Sequence, residues 1–273
     1  YYAFFIDSAV DFSAWLGLGL DAPRLGVILP VGISFYTFQT LGYSIDIYRR
    51  KMQPTDEPLD LALFVAFFPQ LVAGPIVRAA EFLPQLVDRK HFKDVRVRAM
   101  LLLFLAGFIK KAVISDNLVP RIDEYFLSPE LYDAASAWLG TMFFAVQIYC
   151  DFAGYSDMAI ASAGLLGYTL PVNFKAPYFA SSPSEFWNRW HITLSKWLGD
   201  YLFIPLGGSR VGRWKTHRNV LFTMFICGLW HGAGWNFVVG GVMHGAALMV
   251  EREVRRAKIP GLLGPWLSRL LGW

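Results

Sequence analysis

Charge is scarce in this 273-residue chain. Lys, Arg, Asp and Glu make up 17% of it, against about a quarter in a typical soluble domain. A chain so short of charge lacks the polar surface a soluble globule needs, unless lipid covers much of it. Cysteine is nearly missing too: Cys150 and Cys227 lie in apolar runs without metal-ligand spacing. That excludes a disulfide framework and leaves them as small core residues. The chain opens without a basic segment, apolar stretch and small-residue cleavage site in succession, so no cleavable signal is expected. It begins at Tyr1 in mid-pattern, as an internal piece of a longer protein would. Glycines at 207–208, 232 and 234 follow no strand and form no phosphate loop; they are expected to permit sharp breaks. Neither a repeat period nor a low-complexity stretch is visible, and residues 1–273 read as a single domain.

What is present is apolar: 55% of residues are hydrophobic and 16% aromatic. At roughly 20 residues per span, a chain of this length holds about six to eight membrane crossings. The net charge of +4 is no nucleic-acid signal, because the basic residues cluster at the ends of apolar runs. That is the positive-inside arrangement. It places the basic runs at 49–51, 89–98, 210–218 and 252–258 on the cytoplasmic side and the acidic stretch 116–133 opposite.

Along the chain, 25–48 reads as a span ending in Arg49, Arg50 and Lys51. Residues 59–77 are apolar but broken by Pro69, Gly74 and Pro75, which makes a hairpin or re-entrant segment, a form tolerated only when buried in protein or lining a cavity. Residues 99–115 cross outward, with Lys110 and Lys111 either snorkelling or partly buried. The run 137–169 is too long for one untilted span and carries Asp151 and Asp157. An unpaired charge at mid-bilayer costs about 2.5–3.5 kcal/mol, so both should face protein; with Asp200 they either form a proton path or, as favoured here, pair with Arg189, Lys196 or backbone donors. Phe186, Trp187, Trp190, Leu194, Trp197 and Leu198 fall at helical spacing, which predicts an amphipathic helix over 186–198 near the membrane surface. Residues 219–230 then enter the membrane, break at Trp230–Trp235 and return over 236–250. The final residues, through Trp273, look truncated or interfacial.

Two histidines, His191 and His231, sit in apolar, tryptophan-rich settings, each directly after a tryptophan. Imidazole takes and returns a proton near neutrality, so the pair suggests a proton-transfer site; a hydrogen-bonded core imidazole is the plain alternative for either one. His244 follows His231 by 13 residues. On one continuous helix the two would stand about 20 Å apart, too far to share a metal, and no metal site is expected. The tryptophans at 187, 190, 197, 230 and 235 either line a cavity or anchor the interface.

Five strings keep one order: LPVGISFYTFQTLGYSIDIYR (29–49), FFPQLVAGPIVRAAEFLPQL (67–86), QIYCDFAGYSDMAIA (147–161), NFKAPYFASSPSEFWNRWHITLSKWLGDYLFIPLGGSR (173–210) and LWHGAGWNFVVGGVMHG (229–245). In them the chain resembles the membrane-bound O-acyltransferase family, in particular its bacterial alginate O-acetyltransferase branch. The resemblance implies an all-α fold: a polytopic transmembrane helical bundle with re-entrant and amphipathic helices around a central cavity. It implies a multi-pass protein of the bacterial inner membrane that moves an acyl group, acetyl in this branch, from a cytoplasmic thioester towards hydroxyls of an exported polysaccharide such as alginate. It assigns His231 as the catalytic histidine and His191 as the second site position, to orient the base, bind the acceptor or hold the thioester carbonyl. His244 is not carried over as catalytic. No tightly bound cofactor is implied; acetyl-CoA or an acyl carrier serves as co-substrate. The implied partners are the acyl donor, a polysaccharide or periplasmic acyl-acceptor protein, and membrane lipid, with no nucleic acid. Two other classes stay open: a transporter or exporter subunit without chemistry of its own, since broken helices also mark transport paths, and a haem or quinone protein with histidine ligands.

Overall fold

The computed structural model describes residues 2–20 and 32–257, and every regular element among them is helical. In chain order the α-helices are α1 (Tyr2–Trp15), α2 (Ile33–Tyr48), α3 (Pro58–Ala66), α4 (Ala79–Phe82), α5 (Pro84–Val87), α6 (Val97–Phe108), α7 (Asp116–Leu127), α8 (Ala134–Leu165), α9 (Pro183–Arg189), α10 (Ile192–Leu198), α11 (Arg213–His231) and α12 (Trp235–Arg256). A π-helical segment, Ile109–Ser115, joins α6 to α7, and another, Gly199–Phe203, extends α10. Residues 25–31 of the first expected span, Lys258 of the last basic run and the closing residues lie outside the described residues.

Among the described residues no helix is both long and apolar enough to cross a membrane, which departs from the six to eight crossings expected. The reasons differ by segment. The apolar stretch 59–77 stops being α-helical at Phe67, ahead of Pro69. The apolar α6 passes into the π segment that carries Lys110 and Lys111. Helix α8 is long, at 32 residues, but Gln147, two aspartates, serines and glycines dilute it. Helix α11 starts inside the basic run expected as a turn and so includes Arg213, Lys215 and Arg218.

Contacts divide the chain into two compact units. One takes the described residues within Tyr1–Pro30, Tyr178–Asn188 and Leu198–Trp273; the other takes those within Val31–Pro177 and Arg189–Trp197.

The second unit is built on α8. Its Gly154 meets Gly107 of α6 so closely that a Cβ on either would strike the other's carbonyl oxygen at 2.6–2.7 Å. At that crossing Asp157 pairs with Lys110 Nζ at 2.6 Å, and Asp151 with Lys111 Nζ at 2.6 Å. The aspartates are paired, but through the lysines that looked misplaced, not through Arg189 or Lys196. The π segment is what presents two consecutive lysines to one neighbouring helix. Phe64, Phe67, Val77, Ala79, Phe82, Ala163 and Leu170 form this unit's buried apolar cluster. The broken segment 59–77 therefore contributes to a protein core, with Phe64 and Gln70 fully enclosed.

The first unit is organised by the antiparallel hairpin of α11 and α12. Gly228 and Gly241 let the backbones touch: a Cβ on Gly241 would stand 3.0 Å from the Gly228 Cα. Further along, buried His217 meets Glu253 through Nε2 at 2.7 Å, and Arg213 reaches the other Glu253 oxygen at 2.8 Å. Buried Glu251 on α12 accepts from the Ser184 N–H and Oγ at 2.8 and 2.7 Å, which caps the N-terminus of α9 from outside.

Candidate active site

His231 is the last residue of α11 and is exposed. Its Nδ1 lies 2.7 Å from the Cys227 carbonyl oxygen, one helical turn back. A carbonyl only accepts, so Nδ1 carries the hydrogen and the neutral ring keeps its lone pair on Nε2. The Trp230 ring stands edge-on to the imidazole, centroids 4.8 Å apart. The helix ends at Gly232, whose extended backbone (φ 177°) any residue adopts. Glycine is wanted there for room, since the Phe237 ring occupies the place of a Cβ. The expected conformational role belongs instead to Gly207 and Gly208, at φ +102° and +55°. The break expected at Trp230–Trp235 is present, and it puts His231 and His244 on different helices. His244 lies on α12, which packs back along α11. The Trp187 ring meets His244 edge-on at 5.3 Å, and Phe186 stacks on it at 6.3 Å.

His191 belongs to the other unit and is built differently. Here the continuous amphipathic helix expected over 186–198 is broken: α9 ends at Arg189, α10 begins at Ile192, and His191 sits between them at φ +42°. Left-handed backbone costs a non-glycine residue about 1–2 kcal/mol. The segment 173–175 holds the break open. The Lys175 N–H donates to the Arg189 carbonyl and the Ile192 N–H to the Asn173 carbonyl, both at 2.9 Å. These bonds tie groups at the helix junction to a segment distant in sequence. The turn drives His191 inward, to 1% exposure, against the edge of the Phe152 ring at 4.7 Å.

Asn173, equally buried, organises that interior. Its Oδ1 accepts from the Thr193 N–H at 3.3 Å and from Thr193 Oγ1 at 2.9 Å, while Nδ2 donates to the Gly74 carbonyl at 3.4 Å and to Ser156 Oγ at 3.3 Å. A backbone N–H only donates and a carbonyl only accepts, so these contacts fix which end of the amide is oxygen. That oxygen lies 3.1 Å from His191 Nδ1, and Nδ1 must be the donor. Thr193 Oγ1 also accepts the Ile76 N–H at 2.9 Å. The irregular backbone at 74–76 is thus satisfied by the side chains that set His191. Asn173 and Thr193 were not singled out from sequence. Their only signal was an amide and a hydroxyl in otherwise apolar surroundings on either side of the Trp190–His191 pair.

The tryptophans divide. Trp197 is buried, its Nε1–H donating to the Phe38 carbonyl at 3.0 Å, whereas Trp235 is 63% exposed. Trp190 packs on Phe174 at 5.1 Å.

A family model described as membrane-bound O-acyltransferase matches residues 48–259, which include both histidines and their supports. The chain belongs to the membrane-bound O-acyltransferase family. Within it, the chain is 42% identical over 253 residues to the "Probable alginate O-acetylase AlgI" of Azotobacter vinelandii, covering 90% of this chain and 50% of that protein. It is 41% identical over 259 residues to the peptidoglycan O-acetyltransferase of Helicobacter pylori (85% and 49%). It is 28% identical over 242 residues to the teichoic acid D-alanyltransferase of Bacillus subtilis (83% and 60%). The chain spans about half the length of the alginate relatives it matches.

Proposed function

We propose that this family member is part of an inner-membrane O-acyltransferase that moves an acetyl group from a thioester donor towards hydroxyls of an exported polysaccharide, alginate first among the candidates. The observation that carries the reading is the His231 ring: Nδ1–H is committed to the Cys227 carbonyl, and Nε2 is left as a base on an exposed side chain. In the step proposed, Nε2 takes the acceptor hydroxyl's proton as that oxygen attacks the acyl carbonyl. The intermediate collapses, the C–S bond breaks and the departing sulfur receives the proton. A positioned base of this kind contributes about 10²–10⁴-fold. His191, with Nδ1–H tied to Asn173, offers a hydroxyl an acceptor and not a donor on its neutral ring, and so serves to orient the acceptor rather than to hold the thioester carbonyl. Acetyl-CoA or an acyl carrier is the co-substrate, with no cofactor held tightly. The names of the relatives support alginate as acceptor and keep peptidoglycan as a second choice.

The same proposal places the chain across the membrane many times, as one domain of a helical bundle around a central cavity. Outward apolar side chains support it: Leu101, Leu102 and Leu105 on α6, and Trp138, Leu139 and Met142 on α8, are each more than half exposed. Water would penalise such faces and lipid would not. The basic runs at 49–51, 89–98, 210–218 and 252–258 are placed in the cytoplasm. Cysteines introduced at Arg213 and Glu130 should label from opposite sides, and labelling from one side would overturn the topology.

The functional test is acyl release from a labelled thioester by the purified protein, together with the acetylation state of exported polysaccharide with and without the intact gene. Thioester turnover dependent on His231 supports the enzyme. A protein that leaves thioesters untouched while still being needed for polysaccharide acetylation supports the transporter reading instead.

A further inference from the structure

One cleft in the second unit lies apart from either histidine's surroundings. It has a volume of about 650 Å³ and is lined by Arg89, Lys90, His91, Arg96, Tyr168 and Thr169, among others. Its walls are held in place. Gln85 and Thr169 exchange two hydrogen bonds, Gln85 Nε2 to the Thr169 carbonyl at 3.1 Å and the Thr169 N–H to Gln85 Oε1 at 2.8 Å. Gly167 gives Lys90 its path, since a Cβ there would stand 3.1 Å from the Lys90 Cβ. The Lys90 ammonium comes to rest 5.2 Å from the centre of the Tyr168 ring, an arrangement that holds a cation without neutralising it. Among the described residues no carboxylate pairs with Arg89, Lys90 or Arg96. Asp94 is the one acidic residue in the lining.

A second depression opens beside it and shares Arg96. It has a volume of about 430 Å³ and is otherwise lined by Val97, Arg98, Ala99 and Leu102 at the start of α6. From there Leu101, Leu102 and Leu105 continue the exposed apolar surface along the helix. A site for a free anion would need the first cleft alone. A basic cleft that runs into an apolar groove on a lipid-facing helix matches a molecule with a phosphate at one end and hydrocarbon at the other.

We propose that this cleft binds the headgroup of an anionic phospholipid, with the acyl chains leaving along the groove at the start of α6. Arg89, Lys90 and Arg96 would meet the phosphate, with Arg96 at the junction of head and tail. The residues fall in the run 89–98, which charge bias alone assigns to the cytoplasmic face, where anionic lipid and basic side chains meet. The inference rests on the membrane placement proposed above but not on acyl transfer, since it uses neither His191 nor His231.

The test is a lipid titration of the intact protein in detergent, followed by native mass spectrometry. Phosphatidylglycerol is expected to bind at least tenfold more tightly than phosphatidylcholine. Lys90→Gln and Arg96→Gln should each weaken phosphatidylglycerol about fivefold, as loss of one membrane-facing charge does. Lys93→Gln, an exposed cation of the same loop outside the cleft lining, should leave binding unchanged. Lys93 and Arg96 are exposed and Lys90 is half-buried, and unaltered thermal unfolding will show that the variants are folded. Wild-type affinity in Lys90→Gln and Arg96→Gln would overturn the site. An equal loss in Lys93→Gln would reduce it to general charge attraction. Displacement of phosphatidylglycerol by coenzyme A, with short-chain lipid binding as well as long-chain, would reassign the cleft to a soluble phosphate and refute the lipid.

Discussion

His191 donates through Nδ1 to the side-chain oxygen of Asn173, 3.1 Å away, and that oxygen has no hydrogen to return. The neutral ring is therefore held in one tautomer by a residue 18 positions earlier in the chain. His231 reaches the same tautomer by a different route, through the Cys227 carbonyl of its own helix. In each case an oxygen acceptor fixes Nδ1 as the donor.

Replacing His231 by alanine should abolish acyl transfer, a loss of at least about 10²-fold, while expression and membrane insertion stay near normal, because the side chain is exposed at a helix end. His191→Asn should retain partial activity, since an amide still offers a hydroxyl an acceptor though it is no base. Transfer rates of purified, folded variants decide the matter. Wild-type rates in His231→Ala, or complete loss in His191→Asn beside a mild effect at His231, would reverse the assigned roles.

Asn173→Leu removes five side-chain contacts at once and leaves the Gly74 carbonyl and Thr193 N–H short of partners in a buried site. A buried polar group left unsatisfied costs about 1–3 kcal/mol, so folded yield should drop sharply. Asn173→Asp keeps the acceptor for Thr193 and His191 and, as the neutral acid that burial favours, can still donate once to the Gly74 carbonyl, so it should be milder. Yields from matched membrane preparations test the order, and equal yields would show that the amide does not organise the turn.

Asp157→Asn should lower folded yield more than it alters the chemistry of surviving protein. The Lys110–Asp157 pair is only partly buried, at 30% and 22% side-chain exposure, and breaking it should cost about 1–2 kcal/mol, between the surface and buried extremes. Lys110→Met with Asp157→Leu should recover much of that loss by removing both charges. Full yield in Asp157→Asn with turnover abolished would move Asp157 into the catalytic machinery.

Glu251 lies just past the stretch 236–250 proposed to be in the membrane. Burial pushes its carboxyl up, but hydrogen bonds from Ser184 and Arg255 outweigh that and hold it below its usual range. A depressed folded value means the ionised carboxylate stabilises the fold above the unfolded value, and the contribution is lost as pH falls through the folded one. Thermal unfolding should therefore soften in acid, and Glu251→Gln should flatten that part of the profile while lowering stability near neutrality. An unchanged acid limb in the variant would mean the cap of α9 titrates elsewhere.

Local sequence carried the helical class, because apolar periodicity and the breaks at Pro69, Gly207 and Gly208 are properties of neighbouring residues. It also carried the need for partners at Asp151 and Asp157, since a charge in an apolar helix must be paired wherever the chain goes. The two histidines were legible through the strings around them. Which residues answer those needs was not legible. Lys110 and Lys111 read as misplaced charges on a separate crossing, and only the π segment and the Gly107–Gly154 approach bring them to α8.

The sequence by itself determined the chemistry on offer: two imidazoles after tryptophans, a chain too poor in charge for a soluble globule, and basic runs that bound its apolar segments. The tertiary structure alone decided how that chemistry is held. Helical periodicity over 186–198 predicted one helix, yet hydrogen bonds from 173–175 divide it and turn His191 inward at a left-handed residue. The break at Trp230–Trp235 and the return after it were legible, yet how tightly α12 lies on α11, with Gly241 against Gly228, was set by packing. The physical reason is the same in both places. Periodicity reports the face a segment would present if it continued, whereas dividing it at His191 or seating it on a neighbour depends on hydrogen bonds and close packing with residues distant in sequence.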